Sequence, residues 1–392
     1  QSVVTASTLT AVAGNGYPID TTSNTCTITL PASASVGDQM IFTDYAGTWA
    51  TNKILLDSNG LNYQGKDDGY DVPYNTDDQV LHIVYIDTTE GWMPILDKAV
   101  TDDVPVKGNP TGIFGFGDSG GTDTGVTNLV SNLGVVASDT AAVGGAREGL
   151  AACEYGEDKG IFGFGSGPVN ETNLVTNLGV VGSDVTGVGT DRHGLGAATY
   201  GGDKGIFGFG NTGPTMTAVT NLVTNLGVVG TDVAGVPATT AYLAATEYSS
   251  DKDKAIFGFG DGPLNRTNLV TNVGVMGADV TGVGTARSFL TACGYGGDKG
   301  IFGFGFTTTY VSMTNLISNA GVVATDTTGV GQTRSRIAAT QYGGNKGIFG
   351  FGRTGVGTEV SMTNLVTNLG VVGSDVTGVG TTRERLAACS WG

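Results

Sequence analysis

The chain has 392 residues, of which 39% are hydrophobic and 14% are charged, so it has ample apolar side chains for packed cores. Its net charge is −17 at pH 7 and it has no Lys/Arg-rich block, which argues against a surface that binds nucleic-acid phosphates. No apolar run approaches the roughly 20 residues of a membrane-spanning helix, so membrane insertion is not expected. Because the chain begins at Gln1 without an initiator Met, we expect a processed or excerpted piece of a longer protein.

Residues 1–100 are predicted to form a separate β-sandwich. Runs such as "TCTITLP", "DQMIFTDYAG" and "VLHIVYID" alternate apolar and polar residues between clusters of Gly, Asn, Asp and Pro. Trp49 and Trp92 could serve as sugar-stacking surfaces, but we favour a position in the core of the sandwich. The turn formers in "TDDVPVKGNPTG" predict a linker over residues 101–112.

Residues 113–392 contain an internal repeat. The motif "IFGFG" recurs at spacings of 45 to 50 residues, which is the range of propeller repeats. Its six copies begin at Ile113, Ile161, Ile206, Ile256, Ile301 and Ile348. Apolar runs of the types "LAACEYG", "GIFGFG", "TNLVSN" and "GVVASD" predict four antiparallel strands per repeat. The alternation in "IFGFG" puts aromatic rings on one face of the strand and glycines on the other. The aromatic face of one sheet should therefore pack on the glycine face of its neighbour.

The two ends of the array are incomplete in complementary ways. The chain stops at "RLAACSWG", whereas the first "IFGFG" has no "LAA" phrase before it. If the C-terminal strand pairs with residues 112–117, neither sheet edge is left bare. The fold class predicted is therefore all-β, with an N-terminal β-sandwich followed by a six-bladed β-propeller that this pairing closes.

Two segments carry a resemblance to known families. The Arg before a small-residue strand, the glycine pair, the strand ending in "FG" and the Asn of the third strand resemble the kelch repeat over residues 113–392, although "GVVGSD" stands where kelch blades have a fourth-strand Trp. The wording "DKGIFGFG...MTNLVTNLGVV...TGVGTAR" is similar to repeats in virion structural proteins of marine tailed bacteriophages. The stretch from "LPASASVGDQMIF" to "EGWMPI" resembles a module of phage tail fibres.

These resemblances imply a tail fibre or spike component on the surface of a virion. The sandwich would attach or trimerise the protein, and the propeller head would recognise a host-surface glycan or protein. The implied partners are other virion proteins, the host receptor and further copies of the chain in a homotrimer.

Two charged columns recur through the repeats. An Asp column is interpreted as structural, because a residue that recurs in every repeat normally has a role common to all repeats, such as a turn or a hydrogen bond between blades. Its members are Asp139, Asp184, Asp232, Asp279, Asp326 and Asp375. An Arg column precedes the first strands and is predicted to ring one mouth of a central channel; it could form salt bridges with the Asp residues shortly before it, or bind an anionic ligand. The candidate ligand-binding residues are Arg147, Arg192, Arg287, Arg334 and Arg383, with Thr240 at the remaining position.

Metal, cofactor and catalytic roles are not expected from the remaining residues. The two histidines, His82 and His193, have no metal-ligand spacing. Three of the four cysteines share one repeat column, and equivalent positions on separate repeats normally lie too far apart to bridge, so free thiols are predicted.

The repeats differ most between the second and third predicted strands. These loops should share one face with the Arg column, and loops on a rigid scaffold commonly carry binding sites. A polysaccharide-acting enzyme is the alternative, but the carboxylates specific to single repeats are expected to be scattered, which disfavours it. They are Asp118, Asp123, Glu171, Asp261 and Glu359. A purely architectural decoration protein without a ligand is the third interpretation.

Overall fold

The protein is all-β. A computed structural model describes residues 2–66, 71–95, 111–235, 237–262, 264–355 and 358–392, and these form strands and turns but no helix. Within them, therefore, no helix has the length and apolar character needed to cross a bilayer. The chain divides into two compact units, Gln1–Lys107 and Gly108–Gly392. The predicted linker over residues 101–112 lies outside the described residues up to position 110.

Among its described residues the first unit has two four-stranded sheets. The strands are β1 (Thr8–Thr10), β2 (Gly16–Ile19), β3 (Cys26–Thr29), β4 (Gln39–Asp44), β5 (Ile54–Asp57), β6 (Val72–Tyr74), β7 (Val80–Asp87) and β8 (Gly91–Pro94). One sheet has the order β1-β3-β5-β6 and the other β2-β4-β7-β8. The first five strands alternate between the sheets and pair in parallel within each of them, whereas β6, β7 and β8 pair antiparallel.

One apolar core fills the first unit. Trp49 and Trp92 are both fully buried in it, which confirms the prediction that they are core aromatics and not sugar platforms. In β7 the burial alternates residue by residue, with Leu81, Ile83 and Tyr85 inside. Such alternation reports which face of a strand is buried but not the direction of its partner, so the parallel pairing could not be predicted from the pattern.

The second unit contains strands β9 to β30. They are β9 (Thr111–Gly115), β10 (Asp118–Ser119), β11 (Thr122–Asp123), β12 (Thr127–Val130), β13 (Ala151–Tyr155), β14 (Lys159–Gly165), β15 (Val169–Val175), β16 (Gly196–Tyr200), β17 (Lys204–Gly208), β18 (Thr220–Val223), β19 (Ala244–Tyr248), β20 (Lys254–Gly260), β21 (Leu264–Val270), β22 (Thr291–Tyr295), β23 (Lys299–Phe306), β24 (Tyr310–Ile317), β25 (Ala338–Tyr342), β26 (Lys346–Gly350), β27 (Arg353–Gly355), β28 (Thr358–Glu359), β29 (Thr363–Val366) and β30 (Ala387–Trp391).

These strands form, within the described residues, six three-stranded antiparallel sheets and two short ribbons. Sheets 1 to 6 have the orders β12-β9-β30, β13-β14-β15, β16-β17-β18, β19-β20-β21, β22-β23-β24 and β25-β26-β29. The ribbons β10-β11 and β27-β28 lie in the variable loops of sheets 1 and 6. We call the strand that follows the Arg column the first strand of each sheet.

The predicted fourth strand is not formed as a strand in the described repeats. In sheet 2 the fourth segment makes two isolated bridges to β15, Val175↔Val181 and Thr172↔Val185. Between these bridges the Asn173 side chain donates to the carbonyl of Gly182 at 3.0 Å. The amide side chain thus takes the place of a ladder hydrogen bond, so the four-stranded prediction was wrong at this segment.

The C-terminal strand completes sheet 1, as the two incomplete repeats predict. β30 pairs antiparallel with β9, with Cys389 opposite Ile113 and Trp391 opposite Thr111. The first strands also contact one another in sequence around the unit, and β30 contacts both β13 and β25. The six first strands therefore follow one another in a closed cycle.

Glycines let neighbouring sheets approach closely. A Cβ atom added to Gly163 would lie 2.8 Å from the ring of Phe207 in the next sheet, and one added to Gly115 would lie 2.8 Å from Phe162. This confirms the predicted packing of an aromatic face on a glycine face.

All four cysteines, each of them among the described residues, are free and buried, as predicted. Burial raises the pKa of Cys153 and Cys293, so these thiols stay protonated and behave as small apolar side chains.

Candidate functional site

The Arg column is buried inside the sheets instead of lining an open mouth. Its five members are at most 2% exposed. In sheet 5 the guanidinium of Arg287 donates to the carbonyls of Phe304 and Thr285 and to Asn315 Oδ1, at 2.8, 3.1 and 2.7 Å. It also stacks 4.3 Å above the ring of Phe259 in the neighbouring sheet. Arg147, Arg192, Arg334 and Arg383 make the corresponding stacks.

The Asp column neutralises these guanidiniums and anchors the connection before each first strand. Asp326 lies 3.9 Å from Arg287 and accepts hydrogen bonds from Asn315 Nδ2 at 2.9 Å and Thr285 Oγ1 at 2.6 Å. Although burial acts to raise it, these hydrogen bonds hold the pKa of Asp326 below its ordinary value. The geometry thus favours the salt-bridge network over an anion-binding mouth, with one correction. Each Arg faces the Asp of its own sheet, as in Arg147 with Asp184, and not the Asp shortly before it in sequence.

In sheet 4 Thr240 occupies the position of the column arginine, and an arginine from another position pairs with the column Asp. Arg266, in β21, lies 3.5 Å from Asp279 and donates to the carbonyls of Ala238 and Thr239 at 2.8 and 2.9 Å. Its side chain is 21% exposed, so this substitute is less buried than the column that it replaces.

The variable loops lie at one end of the sheets, where the connections reach the first strands. Ser166, the first residue of its loop, donates its backbone N–H to the carbonyl of Glu148, and Asp118 exchanges two backbone hydrogen bonds with Glu384. We call this the variable end. The opposite end, which we call the constant end, carries the near-identical turns of the "DKG" and "TNLG" types.

A closed cycle of backbone hydrogen bonds links the six repeats at the variable end. It joins the positions two residues after the Arg column, which we call the rim residues. They are Gly149, Gly194, Tyr242, Phe289, Arg336 and Arg385. Each donates its N–H to the carbonyl of the rim residue in the preceding sheet, at 2.6 to 2.9 Å, and Gly149 closes the ring by donating to Arg385.

The rim combines a repeated backbone with unlike side chains. All six residues have φ between 53° and 64°, a left-handed conformation that costs little at glycine and more at the other four. The order around the ring is two glycines, two aromatics and two arginines, so the side chains differ in size and chemistry from one rim position to the next.

The rim residues line a cavity of about 130 Å³ among the starts of the first strands. Tyr242 and Phe289 pack together with ring centroids 4.4 Å apart. His193 meets Tyr242 edge-on, with its Nε2 3.1 Å from the phenol oxygen, and its Nδ1 has no hydrogen-bond partner in the described part of the chain. Burial, and then the charge of Arg385, lowers the pKa of His193, so the imidazole is neutral at pH 7.

Two Arg–Glu pairs flank the cavity, and the guanidinium of Arg336 lies over the Phe289 ring, 5.0 Å from its centroid. Arg336 donates to both oxygens of Glu384, at 2.9 and 3.2 Å, and Arg353 donates to the same carboxylate at 3.1 Å. Arg385 pairs with Glu148. Arg336 and Arg385 retain guanidinium N–H groups beyond those that these pairs use.

Carboxylates from the first and last repeats meet beside this rim. Carboxylate oxygens of Asp118, Glu359 and Glu384 lie within 4.8 Å of one another, and so do those of Asp118, Asp123 and Glu148. The expectation of scattered carboxylates was therefore wrong for Asp118, Asp123 and Glu359, because β25 of sheet 6 packs against β9 and β30 of sheet 1. Burial raises the pKa of Glu148 and of Glu359 above the usual value. Of the other two predicted carboxylates, Glu171 lies near Gly145, and the charge of Asp261 acts on Tyr242.

The constant end holds a second small cavity, of about 40 Å³, beside the buried Glu154. Glu154 accepts a hydrogen bond from Lys252 at 2.7 Å, and Glu247 accepts one from Gln341 close by. Burial raises the pKa of Glu154 to about 7, in spite of the attraction of Lys252.

Glu154→Gln should remove a pH dependence of stability. Because folded Glu154 holds its proton more tightly than the unfolded chain, its contribution is fully present below about pH 4.3 and is lost as pH rises through about 7. Across this window the free energy of unfolding of the variant should rise relative to that of the wild type, by roughly 3 kcal/mol at pH 8. Urea unfolding at several pH values measures the difference. Lys252→Gln is the control, and its free energy of unfolding should fall with pH more steeply than that of the wild type. If the free energies of the wild type and Glu154→Gln had the same pH dependence, the assignment would be contradicted.

Sequence reasoning placed the variable loops at the correct end but missed the rim. The available signal was that "EGL", "HGL", "AYL", "SFL", "SRI" and "ERL" differ within otherwise similar repeats, directly after the Arg column. A scan of family models gives no match to this chain, and a search of curated proteins gives no significant one.

Proposed function

We propose that the second unit is a six-bladed β-propeller of the kelch-like type. Three features support this: the six similar sheets, the cycle of contacts between first strands, and the ring of rim hydrogen bonds. The pairing of β30 with β9 would then be the closure of the ring.

The protein itself is proposed to be a structural protein of a phage virion, a tail fibre or spike component that binds the host surface through this propeller. The first unit would attach or trimerise the protein on the particle, and the second would be the recognition head without enzymatic activity. One observation carries the proposal: side chains at the variable end differ from repeat to repeat, while the scaffold beneath them is nearly invariant. A scaffold that varies only in one set of loops and one rim is the arrangement that binding proteins use.

Competition for adsorption tests this proposal. Host cells are incubated with the full-length protein before particles are added, and free particles are counted. We expect adsorption to fall as the protein concentration rises. A variant in which the other five variable loops are replaced by the short "SGPVNE" loop of sheet 2 should compete poorly while keeping its melting temperature. Undiminished adsorption at saturating protein would favour an architectural decoration protein without a ligand.

A second candidate is a polysaccharide-acting enzyme, and the meeting of Asp118, Asp123, Glu148, Glu359 and Glu384 favours it. Glycoside hydrolysis uses two carboxylates in unlike environments, and the raised pKa of Glu148 beside Asp118 fits that requirement. Release of reducing ends from host polysaccharide, lost in Asp118→Asn, would establish this function. Binding of the polysaccharide without release of reducing ends would instead favour the recognition head.

A further inference from the structure

We propose that the rim binds one uncharged sugar ring of a host-surface glycan; this inference rests on the proposed recognition function and specifies its ligand. The site consists of Tyr242 and Phe289, with Arg336 over the Phe289 ring, and of the pairs Arg336–Glu384 and Arg385–Glu148.

The aromatic pair suits the apolar face of a sugar. Tyr242 and Phe289 are half-buried, line the cavity and stand next to each other on the rim. Gly149 and Gly194 carry no side chains, and the Tyr242 ring packs so closely over Gly194 that a Cβ atom there would lie 2.7 Å from it. The space of about 130 Å³ is close to the roughly 150 Å³ of cavities that hold benzene, so it suits one six-membered ring.

The ion pairs suit the hydroxyl groups of the same ring. A sugar hydroxyl both donates and accepts a hydrogen bond, and an Arg–Glu pair offers N–H donors beside carboxylate acceptors. Glu384 is 5% exposed and held by two arginines, so its position is fixed before a ligand arrives. The buried Nε of Arg385 and Nδ1 of His193, both without a partner among the described residues, are two further polar atoms at this rim.

The charge at the rim decides between neutral and acidic sugars. Glu148, Arg336 and Arg385 line the cavity itself, and His193 is neutral. Asp118, Asp123, Glu359, Glu384 and Arg353 stand around them, so these eight charged groups comprise five carboxylates and three guanidiniums. The whole chain adds a net charge of −17. An anionic sugar or a phosphate would therefore meet an excess of negative charge, whereas an uncharged pyranose would not.

Saturation-transfer NMR on the full-length protein tests the inference, with methyl glycosides of glucose, galactose, mannose and N-acetylglucosamine as neutral probes and glucuronic acid and inorganic phosphate as anionic ones. We expect at least one neutral glycoside to bind through its ring C–H protons, and Tyr242→Gly/Phe289→Gly to weaken that binding at least tenfold. Glycine already occupies this rim position in two repeats, so the variant should fold. The control, Phe306→Ser/Tyr310→Ser, removes an aromatic pair at the variable end that does not line the cavity, and should leave binding unchanged.

The results separate this inference from the proposed function. If the wild type blocks adsorption but no neutral glycoside binds, or if glucuronic acid or phosphate binds more tightly, the neutral-sugar assignment is overturned and the recognition head stands. Equal binding by the rim variant and the control variant would also overturn it. Loss of adsorption blocking with glycoside binding intact would instead count against the host-attachment function.

Discussion

Deleting residues 386–392 should unfold the second unit or make it aggregate. The deletion removes β30, so β9 loses one of its two partners and presents a bare sheet edge. It also removes the fully buried Trp391, whose indole N–H donates to the carbonyl of Asn177 at 3.0 Å. Loss of such a side chain alone costs about 3–5 kcal/mol, a large part of the stability of a typical domain. Thermal unfolding and light scattering of the truncated protein measure the effect.

Trp391→Tyr is the matched control for the truncation. Tyrosine occupies the equivalent position in the other five sheets, for example Tyr155 in β13, so this variant keeps the strand and should lose much less stability. A truncated protein that melts like the wild type would show that β30 is dispensable, and it would remove the main support for a closed ring.

Arg287→Ala should destabilise the second unit by about 3–5 kcal/mol, because the fully buried Asn315 Oδ1 and the carbonyl of Phe304 lose their charged donor and the large buried side chain is removed. The stack on Phe259 is lost as well. Burial lowers the pKa of Arg287 only to about 10, so the lost group is charged at neutral pH. Urea unfolding gives the change in the free energy of unfolding directly.

Arg266→Ala provides the comparison within the same chain. This arginine serves the same purpose in sheet 4 but is 21% exposed, so water can solvate the groups that it leaves, and a loss nearer 1 kcal/mol is expected. If Arg287→Ala cost no more than Arg266→Ala, the Arg column would not be the buried structural element that its contacts indicate.

The local pattern of the repeats was sufficient for much of the second unit. The strand positions of "LAA", "IFGFG" and "TNLV" follow from short apolar runs bounded by turn residues, and the close packing of Gly163 on Phe207 follows from alternation. The pairing of β30 with β9 follows from counting the incomplete units. Each of these features is encoded within one repeat or in the number of repeats.

The amino-acid sequence by itself therefore determined the all-β class, the repeat, the partner of the last strand and the burial of Trp49 and Trp92. Only the tertiary structure decided the candidate site. Asp118 and Glu359 are far apart in sequence and meet because sheets 1 and 6 become neighbours, and no local period records such a contact. The burial of Arg287 depends on Phe259, which belongs to the adjacent sheet. Likewise, a rim of two glycines, two aromatics and two arginines forms only when the cycle of backbone hydrogen bonds brings six separate positions together.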